Sequence, residues 1–384
     1  MHSGFLILFI SFFMSFNHLY AKSQAGWGVK LGTSEKKIKI GGRIQGVISR
    51  AFDDESSDDI YFRRLRVNME FSPWENHKIY YDIRNDKVDN EEKGAGDFTI
   101  GDAYYQVKLK KLGNANLKFF RAKVDVSHSQ TSSSKNLFNP NRAEVSDYAA
   151  NFVNENRRSS NIQMNGTLLG RFRYHLAVFD GANLNDLEDM SGANFDEVTK
   201  RNLGYGGKFR YYFLGDPGVK IQDTYYGRER LISLGLGFFR NDSLKVKNAA
   251  PNPISIFNLK RDLTNVEVSI AFDGLRILYE NFYFRGSVKD ITASDANNIT
   301  TDSRGDFLQV EYTFKKIAPF VSLERFQRDI SQDNTEGKGA SIGLNYYLNM
   351  EAQRFGLSYK LNDYAEYLNK DNDSTLYAYA MLNF

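Results

Sequence analysis

Apolar and polar residues alternate along most of the chain with a period of two, up to the last residue. Between Arg64 and Ser72, apolar residues at one parity are separated by arginine, asparagine and glutamate, and a similar pattern returns between Ala340 and Leu348. Successive side chains of a β-strand point to opposite faces. The pattern therefore predicts strands with one apolar face and one polar face, and no amphipathic helix of comparable strength accompanies them.

The connections between the predicted strands alternate in length. Short links such as Asp273–Gly274 take turns with long polar ones, of which Asp125–Arg158 is the third. Short turns at one end and long loops at the other are typical of bacterial outer-membrane barrels. We therefore predict an all-β fold, a transmembrane antiparallel β-barrel of about sixteen strands with both termini at the short-turn end. Leu214–Arg230 is an unusually long link for that end.

A soluble β-sandwich or β-helix is the alternative to a barrel. The alternation of loop lengths disfavours it, as do strands of about ten residues, which cross a bilayer when tilted. The composition agrees with a barrel, because the chain has 30 Phe, 23 Tyr and 30 Gly but only 6 Pro and 0 Cys. Many aromatic residues suit the girdles at the membrane interfaces, and few prolines suit long strands. The absence of cysteine excludes a disulfide scaffold, and a net charge of +3 gives no argument for a nucleic-acid partner.

The first residues have the layout of an export signal. An apolar run from Phe5 to Phe16 precedes Ala21 and is too short to span a bilayer. We predict a signal peptide over residues 1–21, with cleavage after Ala21 or Ala25, followed by a single barrel domain over residues 22–384. The protein is then expected in the bacterial outer membrane, reached through the periplasm, in contact with lipid and lipopolysaccharide.

Several segments resemble the phosphate-selective porin O and P family. They are Phe62–Arg84, Asn161–Asn185, Phe307–Gln327 and above all Ala340–Leu361, which contains the hairpin sequence GLNYYLN. The resemblance implies a sixteen-stranded porin, a homotrimer, that passes small anions through a constriction shaped by an inward-folded third loop. A strand that ends at Phe384 resembles the signal recognised by the barrel-assembly machinery.

The third loop departs from the family pattern. Lys123 and the hydroxyl run from Thr131 to Ser134 match it, but Phe120 and Asp125 stand where the family usually has glycine and proline. The resemblance therefore implies the constriction without fixing its selectivity.

Basic residues on the lumen parity are the candidates for contact with solutes, because a pore selects by the groups that line its narrowest part. Arginine suits oxyanions, since its planar fork meets two oxygens at once. The constriction and anion-binding candidates are Lys123, Lys135, Arg142, Arg157 and Arg158. The candidates for a basic ladder along the lumen are Arg64, Arg66, Lys78, Lys108, Lys208, Arg210, Arg354 and Lys360.

The alternative for each of these residues is an ion pair with an acid of the same parity, such as Glu70, Asp102 or Glu267. Arg63 falls on the lipid parity and is expected to reach the membrane interface with its long stem.

The predicted function is passive diffusion of small hydrophilic solutes, with a preference for phosphate-like oxyanions. Two alternatives stay open: a general or differently selective pore on the same barrel, and a non-conducting barrel that serves structure or adhesion. The three histidines after the signal peptide form no metal-binding or catalytic pattern. The sequence therefore indicates no enzyme, no metal and no cofactor.

Overall fold

A computed structural model describes most of the chain. The described residues are 29–32, 37–52, 57–86, 96–112, 114–133, 137–139, 141–153, 158–180, 195–219, 229–248, 256–290, 298–349, 352–363 and 372–384. The predicted signal peptide, residues 1–21, lies outside them, and so do Lys135 and Arg157. In the described residues no helix is long and apolar enough to cross a membrane.

The described chain forms eighteen strands. Their bounds are β1 Val29–Gly32, β2 Lys37–Ala51, β3 Asp58–Ser72, β4 His77–Asn85, β5 Thr99–Leu109, β6 Ala115–Arg121, β7 Ser160–Leu168, β8 Phe172–Phe179, β9 Phe195–Arg201, β10 Gly204–Leu214, β11 Leu231–Asn248, β12 Ile256–Phe272, β13 Leu275–Asp290, β14 Asn298–Tyr312, β15 Ile317–Gln327, β16 Glu336–Asn349, β17 Gln353–Asp363 and β18 Asp373–Asn383.

Sixteen of these strands close into an antiparallel barrel, which confirms the predicted fold class. Each of β2 to β8 pairs with its neighbours in sequence, β8 pairs with β10, and β10 to β18 continue the ring. Closure comes from β18 against β2, with Asn383 opposite Arg43. The two short extra strands add to this ring, β1 along β2 and β9 along β11.

Tight turns join the strands at the end where β2 begins and β18 ends. Asp273 and Gly274 both have positive φ angles, and so do Leu169 and Gly170, as two-residue hairpin turns require. Positive φ favours glycine, which explains its place as the second residue of both turns.

The two faces of the wall follow the predicted parity. On β16, Ile342 and Leu344 are exposed on the outside, while Ser341 and Asn345 are buried on the inside. The expectation for Arg63 was wrong. A β-bulge on β3 sets Gln45 opposite Arg64 but Gly46 opposite Phe62, so Arg63 is the extra residue and its guanidinium faces Asn141 of the third loop.

The third loop, between β6 and β7, folds into the barrel. It contains a short helix, α1 (His128–Thr131), and a longer one, α2 (Glu144–Val153). Val126, Phe138, Val145 and Phe152 are at most 1% exposed although they belong to a loop. The inward-folded third loop predicted from the resemblance is therefore present.

One side of the lumen is apolar where simple alternation would make it polar. Phe282, Phe284, Phe307 and Phe326 point inward from β13, β14 and β15 and form one buried cluster with the residues of α2. Gly305 lies in the same place, where an added Cβ would be 2.2 Å from a methyl group of Val145. These strands thus present a surface shaped for the helix.

Phe120 interrupts the alternation just before the third loop. Its φ angle is +83°, and its cross-strand partners are Tyr104 and Asn161, both on the lumen side. The side chain is nevertheless 68% exposed and lies in an outer-wall hollow with Tyr105 and Phe119. The positive φ therefore turns an aromatic ring out of the lumen, at the position where the family usually has glycine.

We expect Phe120→Gly to stabilise the barrel by about 1 kcal/mol, because glycine removes the steric cost of a positive φ. Phe120→Ala is the matched control, since it removes the same ring but keeps the Cβ. The midpoint of thermal unfolding in detergent should be higher for the glycine variant than for the alanine variant. Equal midpoints would show that the backbone at this position is not strained.

Candidate pore lining

The start of the third loop is held by a buried glutamate of the barrel wall. Glu280, on β13, accepts hydrogen bonds from the Ser127 hydroxyl at 3.0 Å and from the backbone N–H groups of His128 and Ser129 at 2.7 and 3.1 Å. Ser127 also accepts from the N–H of Gln130 as the N-cap of α1. The carboxylate thus satisfies the donors at the beginning of this helix, which folding would otherwise bury unpaired.

A second buried carboxylate, Glu267 on β12, lies directly opposite Glu280 in the register. Lys208 and Arg210 of β10 both form ion pairs with Glu267. Arg210 also reaches Asp125 of the third loop with two hydrogen bonds of 2.6 and 2.9 Å. Burial alone would raise the pKa of Asp125, but Arg210 holds that pKa well below its usual range. The loop is thereby tied to the wall through a charge network.

The tip of the loop is anchored on the opposite strands. Phe138 is fully buried, and the guanidinium of Arg276 stands 4.1 Å from its ring centroid. The side-chain amide of Asn345 donates to the Phe138 carbonyl at 2.9 Å, and Arg354 donates to the carbonyl of Leu137. Polar side chains of β16 and β17 therefore hold the loop backbone, and a basic side chain of β13 packs on the Phe138 ring.

Helix α2 is fixed at both of its ends. The Glu144 N–H donates to the Glu324 carboxylate at 2.5 Å, and Arg261 donates to the Phe152 carbonyl at 2.6 Å. These contacts place a negative group at the helix N-terminus and a positive group at its C-terminus, as the helix dipole favours. The loop therefore fills the half of the lumen bounded by β10 to β17.

The other half of the lumen contains an open cavity of about 500 Å³ between the third loop and the wall from β2 to β8. Among the residues described, its charged lining has six basic and three acidic side chains. The basic ones are Arg43, Arg66, Lys118, Lys123, Arg158 and Arg173, and the acidic ones are Asp82, Asp102 and Asp125. Tyr80, Tyr104 and hydroxyls of the loop complete much of its surface.

Two of the five constriction candidates line this cavity. Lys123 donates to the carbonyls of Gln130 and Ser132 at 3.0 and 3.3 Å, so it also holds the loop backbone. Burial, and then the charges of Arg158 and Arg142, lower the pKa of Lys123 well below its usual range. Arg158 lines the cavity and pairs with Asp102.

Arg142 is on the loop but not on the cavity lining. Its guanidinium donates to the carbonyls of Ser129 and Ser132 at 3.1 and 2.9 Å. It thus braces α1 from the side of α2. The remaining two candidates, Lys135 and Arg157, lie outside the described residues.

The predicted basic ladder does not form one continuous row. Only Arg66 of the eight residues lines the cavity, and it pairs with Asp86. Four of the others pair with acids, as the alternative interpretation expected: Lys78 with Glu70, Lys208 and Arg210 with Glu267, and Lys360 with Glu324. Arg354 instead donates to the carbonyl of Leu137 in the third loop. Arg64 donates to Gln45, and Lys108 is exposed away from the cavity.

Sequence reasoning missed several residues of the lining, among them Arg43, Lys118, Tyr80 and Tyr104. Lys118 and both tyrosines stand on the lumen parity of β4, β5 and β6, so the alternation could have found them. Arg43 belongs to a glycine-rich segment of β2, where an apolar face is hard to read from sequence. Its guanidinium donates to Asn383 at 2.6 Å and to Ser133 of the loop at 3.1 Å.

The closed barrel with a loop folded into its lumen is the architecture of a bacterial porin, and comparisons with known proteins agree. Residues 38–216 match the model of the family described as phosphate-selective porin O and P. This match, over slightly less than half of the chain, confirms the resemblance found in the sequence. No curated protein matches the chain.

Solved porin structures share the fold at low sequence identity. OmpF of Salmonella typhi, in a complex with daunomycin, is 10% identical with a TM-score of 0.63, covering 93% of this chain and 100% of its own. An anion-selective porin from Comamonas acidovorans is 11% identical with a TM-score of 0.61, covering 91% and 100%. The trimer form of OmpT, an outer-membrane protein of Vibrio cholerae, is 10% identical with a TM-score of 0.56, covering 91% and 100%.

The family match and the fold together support an outer-membrane channel of a bacterium. They point to a pore rather than to an enzyme.

We expect Glu280→Ala to loosen the third loop, because hydrogen bonds to a charged group contribute about 1.5–3 kcal/mol each and three would be lost. Single-channel recordings should show larger and noisier currents than those of the unmodified protein. Glu280→Gln, which keeps one oxygen acceptor, should be intermediate. Glu70→Ala is the control, since Glu70 pairs with Lys39 and Lys78 away from the loop. If the Glu280→Ala channel showed the same current size and noise as the unmodified protein, Glu280 would not be holding the third loop in place.

Proposed function

We propose that this protein allows the passive diffusion of small hydrophilic solutes and prefers anions, with phosphate-like oxyanions among them. The observation that carries this proposal is the excess of basic over acidic side chains around the open cavity. A cavity lined mainly by one sign of charge, between walls of low dielectric constant, concentrates the opposite ions. Anions would therefore enter at a higher rate than cations.

The partners of the basic groups support a weak and reversible contact with the anion. Asp102 and Asp86 pair with Arg158 and Arg66, which reduces the net field without removing the donors. Conduction requires that an ion binds well enough to enter and weakly enough to leave. The guanidinium of Arg43, which donates to Asn383 and Ser133 at the edge of the loop, adds a positive charge in a fixed position on the lining.

A weakly selective pore is the second candidate, and Asp82 favours it. This carboxylate lines the cavity and would attract cations. Its effect is opposed by the nearby guanidinium of Arg66.

We also propose a homotrimer, supported by the similarity to the trimer form of OmpT. The same proposal includes export with a signal peptide over residues 1–21 and contact with lipopolysaccharide. It also includes insertion by the barrel-assembly machinery, which would recognise the strand that ends at Phe384.

The test is the reversal potential in a planar bilayer under a gradient of potassium chloride. We expect the sign that corresponds to chloride permeability above potassium permeability. The double variant Lys118→Gln, Arg173→Gln should lower this ratio severalfold, because it removes two positive charges from the lining.

Lys315→Gln is the matched control, since Lys315 is exposed in a turn at the end of the barrel and its loss should leave the ratio unchanged. A cation-selective reversal potential in the unmodified protein would contradict the proposal. No conductance step at all would favour a structural or adhesive barrel.

A further inference from the structure

We propose that the cavity contains an aromatic subsite for organic anions that carry a flat ring, formed by Tyr80 and Tyr104. This inference rests on the proposed anion preference and names a class of solute within it. The two tyrosines are direct cross-strand partners on β4 and β5. Their ring centroids are 5.2 Å apart with an interplanar angle of 21°, so they form a stacked pair that lines the cavity.

The tyrosine pair lies on the side of the lumen that is not covered by α2, so packing under the loop does not explain its presence. On the side of β11 to β15, inward aromatic rings are buried under α2, which explains their presence there. Tyr80 and Tyr104 lie on the other side and remain only partly buried. Within the described part of the chain neither hydroxyl makes a hydrogen bond, so both are available to a solute.

The backbone at Phe120 keeps this wall clear. Regular alternation would place the Phe120 side chain in the lumen next to its partner Tyr104, but its positive φ turns the ring to the outside. The space beside Tyr104 is taken instead by the ammonium group of Lys118, 4.7 Å from the Tyr104 ring centroid. Tyr104 is thus flanked by Tyr80 on one side and by Lys118 on the other, so an aromatic pair and a positive charge lie together on one wall.

The charges around the pair fix the orientation of a bound anion. Asp82 follows Tyr80 at the next lumen position of β4 and disfavours a carboxylate beside it. Arg43, Lys123 and Arg158 line the same cavity. An anionic group would turn toward these basic residues and Lys118, while the ring of the solute would lie against the tyrosines.

The cavity has the size for such a solute. Its volume of about 500 Å³ falls within the range of about 300–1,000 Å³ that is usual for sites of organic ligands. Stacking of aromatic rings adds to binding beyond the burial of area. Ring-bearing anions should therefore dwell longer in the channel than anions of equal charge without a ring.

The experiment measures the block of chloride current by benzoate, cyclohexanecarboxylate and acetate in single-channel recordings. Benzoate should block at a concentration about threefold to tenfold lower than cyclohexanecarboxylate, which matches its bulk but has no flat ring. Acetate, with the same charge alone, should be the weakest. Tyr80→Leu and Tyr104→Leu should each reduce the benzoate advantage, whereas Tyr80→Phe and Tyr104→Phe should retain it.

Tyr105→Leu is the matched control, because Tyr105 lines the outer-wall hollow, and it should leave the block unchanged. The reversal potential shows for every variant whether an anion-selective channel has formed. An anion-selective channel that benzoate and cyclohexanecarboxylate block equally would overturn the subsite and leave the anion preference intact. An advantage that survives both leucine variants would also overturn it, and a cation-selective unmodified channel would overturn both proposals.

Discussion

The structure depends on two glutamates that face each other across β12 and β13. Glu267 and Glu280 are register partners and both are fully buried, and two carboxylates in such positions repel each other. Lys208 and Arg210 offset Glu267, while the hydroxyl and N–H groups at the start of the third loop satisfy Glu280. Without the docked loop, Glu280 would be a buried charge without partners, which costs several kcal/mol. The wall and the loop therefore stabilise each other.

This anchor divides the lumen into two unequal halves. One half is filled by α1, α2 and the aromatic cluster beneath them, and the other contains the open cavity along β2 to β8. Charged residues take different roles on the two sides. Lys208, Arg210 and Arg276 form buried ion pairs, whereas Lys118 and Arg173 line the cavity. In the proposed function, only a subset of the basic residues is therefore placed to act on solutes.

Much of the fold was predictable from sequence, because a period of two and alternating loop lengths are direct consequences of strands in a bilayer. The inward position of the third loop came from the family resemblance. The site was harder, since parity distinguishes inside from outside but not the passage from the surface under the loop, so Arg66 and Lys208 look alike in sequence. Local breaks of alternation were also invisible: the bulge at Arg63 and the positive φ of Phe120 each turn a side chain to the opposite face.

The third loop leaves a basic cavity on one side of the lumen and is packed tightly against the wall on the other. The chain has 0 Cys, so one introduced thiol reports on its own surroundings. The substitution Ser133→Cys places the thiol on the cavity lining, and Ser129→Cys places it in the buried helix α1. We predict that a negatively charged methanethiosulfonate reagent blocks the Ser133→Cys channel faster than a positively charged one, and that Ser129→Cys stays unmodified. Faster reaction with the cationic reagent, or equal modification of both sites, would contradict the account.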